Sequence, residues 1–310
     1  MTLTDGHAAV HQAILGDRLR LYLDAELCQR VCPGPGQLAH PGLVWDVAIG
    51  QSTVLTQRVI GNLFYRGLSL RRAPRLGDTL QTATEVVALR QNSPRPGRAA
   101  TGVAALRIRT VDQEDRPVLD FWRGAMLPLR DPDGETEQAD DLAAVGAEVG
   151  ADDFAAPFAT WDLAAYRELV PGPHFGELTA PCGWEVPGGD VVSSAPELAR
   201  LSLNIAATHH DLRLGRRGRR LVYGGHTIGI AAAQLSRAVP SLASIVAWHS
   251  CEHLAPVHEG DTLWSAVELE RADQPRPGGG GFAHLRCRVW AEREEGQSQV
   301  LDWRLVGLLG

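Results

Sequence analysis

The chain twice places one helix-like segment before a run of strand-like segments. Residues 224–238 are rich in alanine, and the pattern ends before Pro240, which predicts a helix. Four apolar or alternating stretches follow, bounded by turns rich in glycine and proline, and they predict strands at 244–254, 261–272, 282–292 and 299–308. The first half has the same order, with a helix near 43–55 and strands at 62–71, 78–90, 100–111 and 118–129.

Short motifs repeat in register between the halves. The sequence APRLGDTL at 73–80 resembles APVHEGDTL at 255–263, and VLDFWR at 118–123 resembles VLDWR at 300–304. RPG at 95–97 recurs at 276–278, so the motifs keep an offset of about 182 residues. One helix beside an antiparallel sheet is an α+β arrangement in which the sheet wraps the helix. We therefore expect a double hotdog, with the two sheets paired edge to edge.

An acidic segment separates the repeats. Residues 131–153 contain nine Asp and Glu residues and no basic residue, which is typical of a solvated connector. We expect an N-terminal hotdog unit at 1–130, a linker at 131–160 and a C-terminal catalytic unit at 161–310.

Composition removes several classes of protein. The chain has no lysine, since all 30 basic residues are arginine, so it cannot form the Schiff base that holds pyridoxal phosphate or complete a P-loop. The net charge of −7 disfavours nucleic-acid binding. No apolar stretch is long enough to cross a membrane, and the N-terminus does not resemble a signal peptide, so we expect a cytoplasmic protein.

The segment LSLNIAATHHD at 201–211 holds the candidate chemistry. Its Asn204 and His209 are five positions apart, just before the second helix. This segment resembles the signature of the MaoC-like (R)-specific enoyl-CoA hydratases, in which an acid and a histidine have this spacing. The resemblance implies that His209 is the catalytic base, with Asn204 in the place of the acid. It further implies that Gly224, Gly225 and His226 form the oxyanion segment. Together with HLAPVHEGDTL at 253–263, these residues are most similar to those of mesaconyl-CoA (2-methylfumaryl-CoA) hydratases.

Hydration of an enoyl thioester needs the groups that these residues provide. A base must take a proton from water, a polar group must hold that water, and donors must stabilise the oxyanion of the thioester. A histidine, an asparagine amide and the N–H groups at a helix N-terminus meet these requirements. Asparagine cannot donate a proton to the α-carbon, so the proton must come from His209, from water, or from a neighbour such as His210 or His226.

The arginines before the second helix are candidates for binding coenzyme A. They form the densest basic cluster in the chain and comprise Arg213, Arg216, Arg217, Arg219 and Arg220. Arginine matches phosphate oxygens bidentately. The cluster could equally be a solvated turn, or one member could meet the distal carboxylate of a dicarboxylic substrate.

The first half contains no Asn/Asp-x4-His pattern, so we expect one active site per chain. We expect no cofactor and no metal, although His249, Cys251 and His253 alternate along one predicted strand. The leading hypothesis is a hydro-lyase that reversibly hydrates a 2-enoyl-CoA, with mesaconyl-CoA and β-methylmalyl-CoA as the leading pair of reactants. The alternatives are a hotdog acyl-CoA thioesterase and a noncatalytic protein that binds acyl-CoA or acyl carrier. The expected partner is an acyl-CoA, and a homodimer stays open.

Overall fold

A computed structural model describes residues 1–146, 148–215, 218–273, 279–293 and 296–310. The N-terminal half contains helices α1 (Asp5–Leu15), α2 (Ala25–Val31) and α3 (Pro41–Ser52), followed by strands β1 (Gly61–Leu70), β2 (Gln81–Gln91), β3 (Thr101–Val111) and β4 (Pro117–Pro128). Short elements follow: helices α4 (Ala151–Phe154) and α5 (Leu163–Leu169), strands β5 (Cys182–Glu185) and β6 (Asp190–Val191), and helix α6 (Ala195–Leu201). The C-terminal unit has helix α7 (Gly224–Ala238) and strands β7 (Leu242–His253), β8 (Thr262–Asp273), β9 (Gly281–Arg293) and β10 (Gly296–Leu309).

Within the described residues, the ten strands form one antiparallel sheet in the order β2-β3-β4-β1-β7-β10-β9-β8-β5, with β6 paired to β8. The two halves meet where β1 pairs with β7, with Leu68 opposite Trp248 and Ser69 opposite Ala247. The expected double hotdog with sheets joined at their edges is confirmed.

The two long helices lie in the core, where the sheet curves around them. Every residue of α3 except Gln51 is buried. Helix α7 is buried from Gly225 to Ser236. Such helices are apolar around most of their circumference because both the sheet and the other helix cover them. The helix expected near 43–55 begins slightly earlier and ends at Ser52, before a short 3₁₀ turn.

Side-chain pairs on the sheet follow the duplication seen in the sequence. Arg107 of β3 forms an ion pair with Asp120 of β4, and Arg286 of β9 forms the same pair with Asp302 of β10. Arg123 follows Asp120 by three residues, and Leu305 follows Asp302 by three residues, so the two occupy equivalent positions of β4 and β10. The same register makes Phe121, and not Trp122, the counterpart of the buried Trp303. Trp122 is half-buried, with the Arg107 guanidinium 5.1 Å from its ring centroid.

The segment between the repeats changes character along its length. All described residues from 131 to 150 are exposed or half-buried, whereas Phe154 and Phe158 are buried. The last residues of the expected linker therefore pack against the core. The domain limits at 130 and 160 stay a prediction. Within the described part of the chain, no helix has the length and hydropathy needed to cross a bilayer.

Candidate active site

A cavity of about 470 Å³ receives residues from both halves of the chain. The C-terminal half contributes the segment around 204–209, the start of α7 and the end of β7. The N-terminal half contributes the end of α3 and parts of β1 and β4. The two residues expected to be catalytic, Asn204 and His209, both line it. No Asp or Glu is among the described residues of the lining, so an anionic ligand meets no negative side chain there.

The loop that carries Asn204 is held against α3. The carbonyl oxygen of Ser202 passes so close to Gly50 that a Cβ atom at that position would lie 1.6 Å from it. Only glycine can occupy this position of the helix. One residue after Asn204, the N–H of Ile205 donates a hydrogen bond of 3.0 Å to Thr53 Oγ1. The N-terminal half therefore fixes the position of the candidate residue in the C-terminal half.

Asn204 is buried and has one polar atom free. Its Oδ1 accepts a hydrogen bond from the N–H of Ala206 at 2.9 Å. Its Nδ2 makes no hydrogen bond with any residue that the structure describes. The side chain thus offers the cavity chiefly a donor, which suits the oxygen of a water molecule or of a substrate.

His209 has the surroundings of a general base. Its Nδ1 lies 2.9 Å from the carbonyl oxygen of Leu221, so Nδ1 carries the proton and Nε2 keeps its lone pair. The ring packs edge-on against Tyr223, with centroids 5.8 Å apart. Burial lowers the pKa of His209 to about 4, because the charged form is poorly solvated there. His209 is consequently neutral at pH 7.

The N-terminus of α7 faces the cavity through Gly224. The N–H groups of Gly224 and Gly225 have no acceptor among the described residues, so they can donate to a ligand. The N–H of His226 donates instead to the carbonyl of Tyr223 at 2.9 Å. This donor is already used in the turn that starts the helix, so Gly224 and Gly225 provide the free N–H groups of the segment, and its role as an oxyanion segment stays a prediction.

Neither neighbouring histidine is suited to return a proton to the substrate. The His226 side chain is buried with both ring nitrogens unpartnered among the described residues, and it does not line the cavity. Burial lowers its pKa to about 4. His210 Nε2 is 2.7 Å from the carbonyl oxygen of Asn204, where it braces the loop.

The arginine cluster is largely committed to other contacts. Arg219 pairs with Asp261 at 2.8 Å, and Arg220 pairs with Glu259 at 2.9 Å. Arg213 pairs with Asp211, its near neighbour in the chain. Arg216 and Arg217 lie outside the described residues. The described members act as ion-pair partners around the turn, and their part in coenzyme A binding stays a prediction.

Comparison with known proteins shows which proteins this chain is similar to. No family model matches the chain. The solved structure of Rv0216, a conserved hypothetical protein from Mycobacterium tuberculosis with a double hotdog fold, is 55% identical over 100% of this chain and 93% of that one, with a TM-score of 0.92. A structure from Chloroflexus aurantiacus described as a MaoC domain protein dehydratase is 26% identical over 100% of this chain and 92% of that one, with a TM-score of 0.85.

Two curated proteins also match along nearly the whole chain. They are a β-methylmalyl-CoA dehydratase from Chloroflexus aurantiacus and a mesaconyl-CoA hydratase from Cereibacter sphaeroides. Each is 29% identical over 94% of this chain and 83% of its own length. The chain belongs to the MaoC-like double-hotdog hydratases and dehydratases. The family resemblance inferred from the sequence is thereby confirmed.

The candidate site also contains polar groups that the sequence did not single out as site residues. Arg123 of β4 and Tyr65 of β1 sit opposite each other in the register of the sheet, and both line the cavity. Burial raises the pKa of Tyr65, so its hydroxyl stays protonated. Arg58 also lines the cavity but is exposed and has no ion-pair partner among the described residues. A basic residue in an inward-facing position of a strand was the available signal for Arg123.

His253 is a further polar residue that lines the cavity. In the sequence it belongs to the alternating His-Cys-His pattern of one strand and is the first residue of the HLAPVHEGDTL motif. Its Nε2 is buried without a partner, and a Cβ atom at Gly224 would lie 2.7 Å from it. His253 therefore lies beside the N-terminus of α7, and burial lowers its pKa to about 4. Among the described residues, no group of three or more His, Cys, Asp or Glu side chains is placed to hold a metal ion.

Proposed function

We propose that this chain reversibly hydrates a 2-enoyl-CoA thioester, with His209 as the base and Asn204 holding the water. It is a hydro-lyase, the class of both curated relatives. The observation that carries the proposal is the fixed tautomer of His209, whose Nε2 lone pair is free in a cavity that also contains the free amide donor of Asn204.

The addition begins with water bound at Asn204. The Nδ2 group donates to the water oxygen, and His209 Nε2 accepts one of the water protons. The oxygen then forms a bond to the β-carbon, and the electron pair of the double bond moves toward the thioester carbonyl. Because His209 is neutral at pH 7, the base is in its active form.

The negative charge that develops on the thioester oxygen needs hydrogen-bond donors. The N–H groups of Gly224 and Gly225 lie at the positive end of the α7 dipole and are free to donate. A Cβ atom at Gly225 would lie 2.3 Å from Asp46 Oδ1, so this turn can be formed only with glycine. Tyr223, which donates a hydrogen bond of 3.0 Å to Asp46, holds the same turn from the other side.

The reaction is completed when the α-carbon receives a proton. Asn204 has no proton to give, and neither His210 nor His226 is suited to the step. The protonated His209 is a strong acid because its surroundings disfavour the charge, so it returns the proton it took from water. One histidine then serves as base and acid, and the net change is the addition of one water molecule.

Mesaconyl-CoA, hydrated to β-methylmalyl-CoA, is the substrate we propose to test first. The names of the two curated relatives support it. A thioesterase that uses an acidic residue is disfavoured, because α7 contains no Asp or Glu and the described cavity lining contains none.

The test incubates the purified protein with mesaconyl-CoA and, separately, crotonyl-CoA, and follows the loss of enoyl-thioester absorbance. A thiol reagent in a parallel reaction detects hydrolysis. We expect hydration without thiol release, and we expect His209→Ala to lose most of the activity. His249→Ala, in which a histidine outside the cavity lining is removed, is the matched control. Thiol release, or no turnover of either substrate, would contradict the proposal.

A further inference from the structure

Arg123 is a buried cation without an anionic partner. Its side chain projects from β4 and is 2% exposed. Its Nη2 donates to Thr56 Oγ1 at 2.8 Å and to the carbonyl of Ser52 at 3.3 Å, and its Nη1 lies 3.4 Å from Asn62 Oδ1. Its Nε has no partner, and no carboxylate pairs with the guanidinium within the described residues. Buried charges in folded proteins are normally paired, so a ligand is expected to supply the missing anion.

The duplicated half shows that the fold does not need a cation at this position. The equivalent residue of β10 is Leu305, which is fully buried. Arginines that serve only the sheet behave differently: Arg304, the neighbour of Leu305, is half-exposed and pairs with Glu270. The N-terminal unit therefore carries a charge where its copy carries an ordinary core residue. That charge points to a role in the cavity.

From these contacts we infer that Arg123 binds a carboxylate on the acyl group of the substrate, so that the enzyme selects dicarboxylic enoyl-CoA thioesters. The inference rests on the proposed function, because it assumes that the substrate is an enoyl-CoA thioester, but binding of the carboxylate by Arg123 can be tested without turnover. Arginine binds carboxylates through charge-assisted N–H hydrogen bonds, and the Nε of Arg123 has no acceptor of its own. Coenzyme A phosphates are the other anions that the ligand carries. They are strongly hydrated and suit the exposed Arg58 better than a guanidinium that is 2% exposed.

The experiment compares kcat/KM for mesaconyl-CoA, which has the second carboxylate, with that for crotonyl-CoA, which lacks it. The variants are Arg123→Leu, which copies the residue of the other half, and Arg123→Gln, which keeps a hydrogen-bonding group without the charge. Arg304→Leu is the matched control. Circular dichroism and the melting temperature report whether each variant folds. We expect folding to persist, because removing a buried unpaired charge does not destabilise a core.

Both Arg123 variants are expected to lower kcat/KM for mesaconyl-CoA by roughly 10²-fold or more, the usual effect of truncating one side of a buried charge pair. Crotonyl-CoA should change by less than about threefold, since it never paired with the arginine, and Arg304→Leu should change neither substrate. An equal loss for both substrates would overturn the inference, because Arg123 would then bind a coenzyme A phosphate or serve only the structure.

Binding measurements separate this inference from the proposed reaction. If the wild type turns over neither substrate, the hydratase proposal fails, and calorimetric titration with the same two thioesters decides the role of Arg123. A preference for mesaconyl-CoA that disappears in Arg123→Leu would uphold it, and the absence of any preference would refute it. If the wild type hydrates both substrates and the ratio is the same in all variants, the reaction stands and the inference is wrong.

Discussion

The pH dependence of the reaction tests His209 directly. For the free enzyme, kcat/KM follows the protonation state of the essential base. Burial lowers the pKa of His209 to about 4, whereas an exposed histidine titrates near 6.5. Because the neutral form is the active one, activity should stay level from pH 8 down to about pH 5 and fall only below that.

The two cases differ most clearly at pH 5. With a pKa of about 4, roughly 90% of the His209 side chains are neutral at that pH. With a pKa of about 6.5, only about 3% would be neutral. The structure therefore predicts about 30-fold more activity at pH 5 than an exposed base would give.

The assay measures kcat/KM for an enoyl thioester between pH 5 and pH 8, with circular dichroism at each pH to show that the protein stays folded. A pantetheine thioester removes the 3′-phosphate of coenzyme A, which titrates near 6, from the profile. The kcat/KM of His209→Ala should be lower than that of the wild type by about 10²–10⁴-fold at every pH in this range. A half-loss of wild-type activity near pH 6.5 in folded protein would refute the assignment of His209 as a buried base.

Three further predictions concern the surroundings of the base. Asn204→Ala should lower kcat by several-fold to about 100-fold. Asn204→Asp should retain or gain activity, because a carboxylate still accepts the hydrogen bond from the Ala206 N–H and a protonated carboxyl group supplies the missing acid. An equal loss of activity in both folded variants would show that residue 204 takes no part in proton transfer. Gly225→Ala should lower both the melting temperature and kcat, because the new Cβ would lie 2.3 Å from Asp46 Oδ1. The control is Gly6→Ala, whose Cβ meets nothing closer than 3.7 Å, and a Gly225→Ala protein with unchanged stability and kcat would contradict the packing argument. Chemical denaturation should show that the free energy of unfolding falls as pH decreases from about 6.5 to 4, because the unfolded chain binds protons that the folded chain excludes. The expected slope is about 1.4 kcal/mol per pH unit for each of His209, His226 and His253, whose pKa is lowered to about 4, and a flat profile would refute the prediction.

The sequence predicted the parts of the structure that depend on local pattern and repetition. Two helices, eight main strands and the joined sheets follow from periodicity, turn residues and duplicated motifs such as the one around Asp120 and Asp302. A family resemblance suggested Asn204 and His209, which do line one cavity. The sequence could not show that the His226 N–H is used within its own turn, because that depends on where the helix begins. Nor could it show that Arg219 and Arg220 have carboxylate partners, because Asp261 and Glu259 are about 40 residues away in the chain.

The candidate active site uses residues from both halves of the chain. In the proposed reaction the C-terminal unit supplies the base, the amide and the helix N-terminus, while the N-terminal unit holds the loop through Gly50 of α3 and Thr53. Because the proposed mechanism takes its base from the C-terminal unit, the inward-facing strand positions of the N-terminal unit can hold residues with other roles. Arg123 occupies such a position, where the C-terminal unit keeps Leu305 in its core. In the proposed arrangement the C-terminal unit performs the chemistry, and the N-terminal unit recognises the acyl group through Arg123.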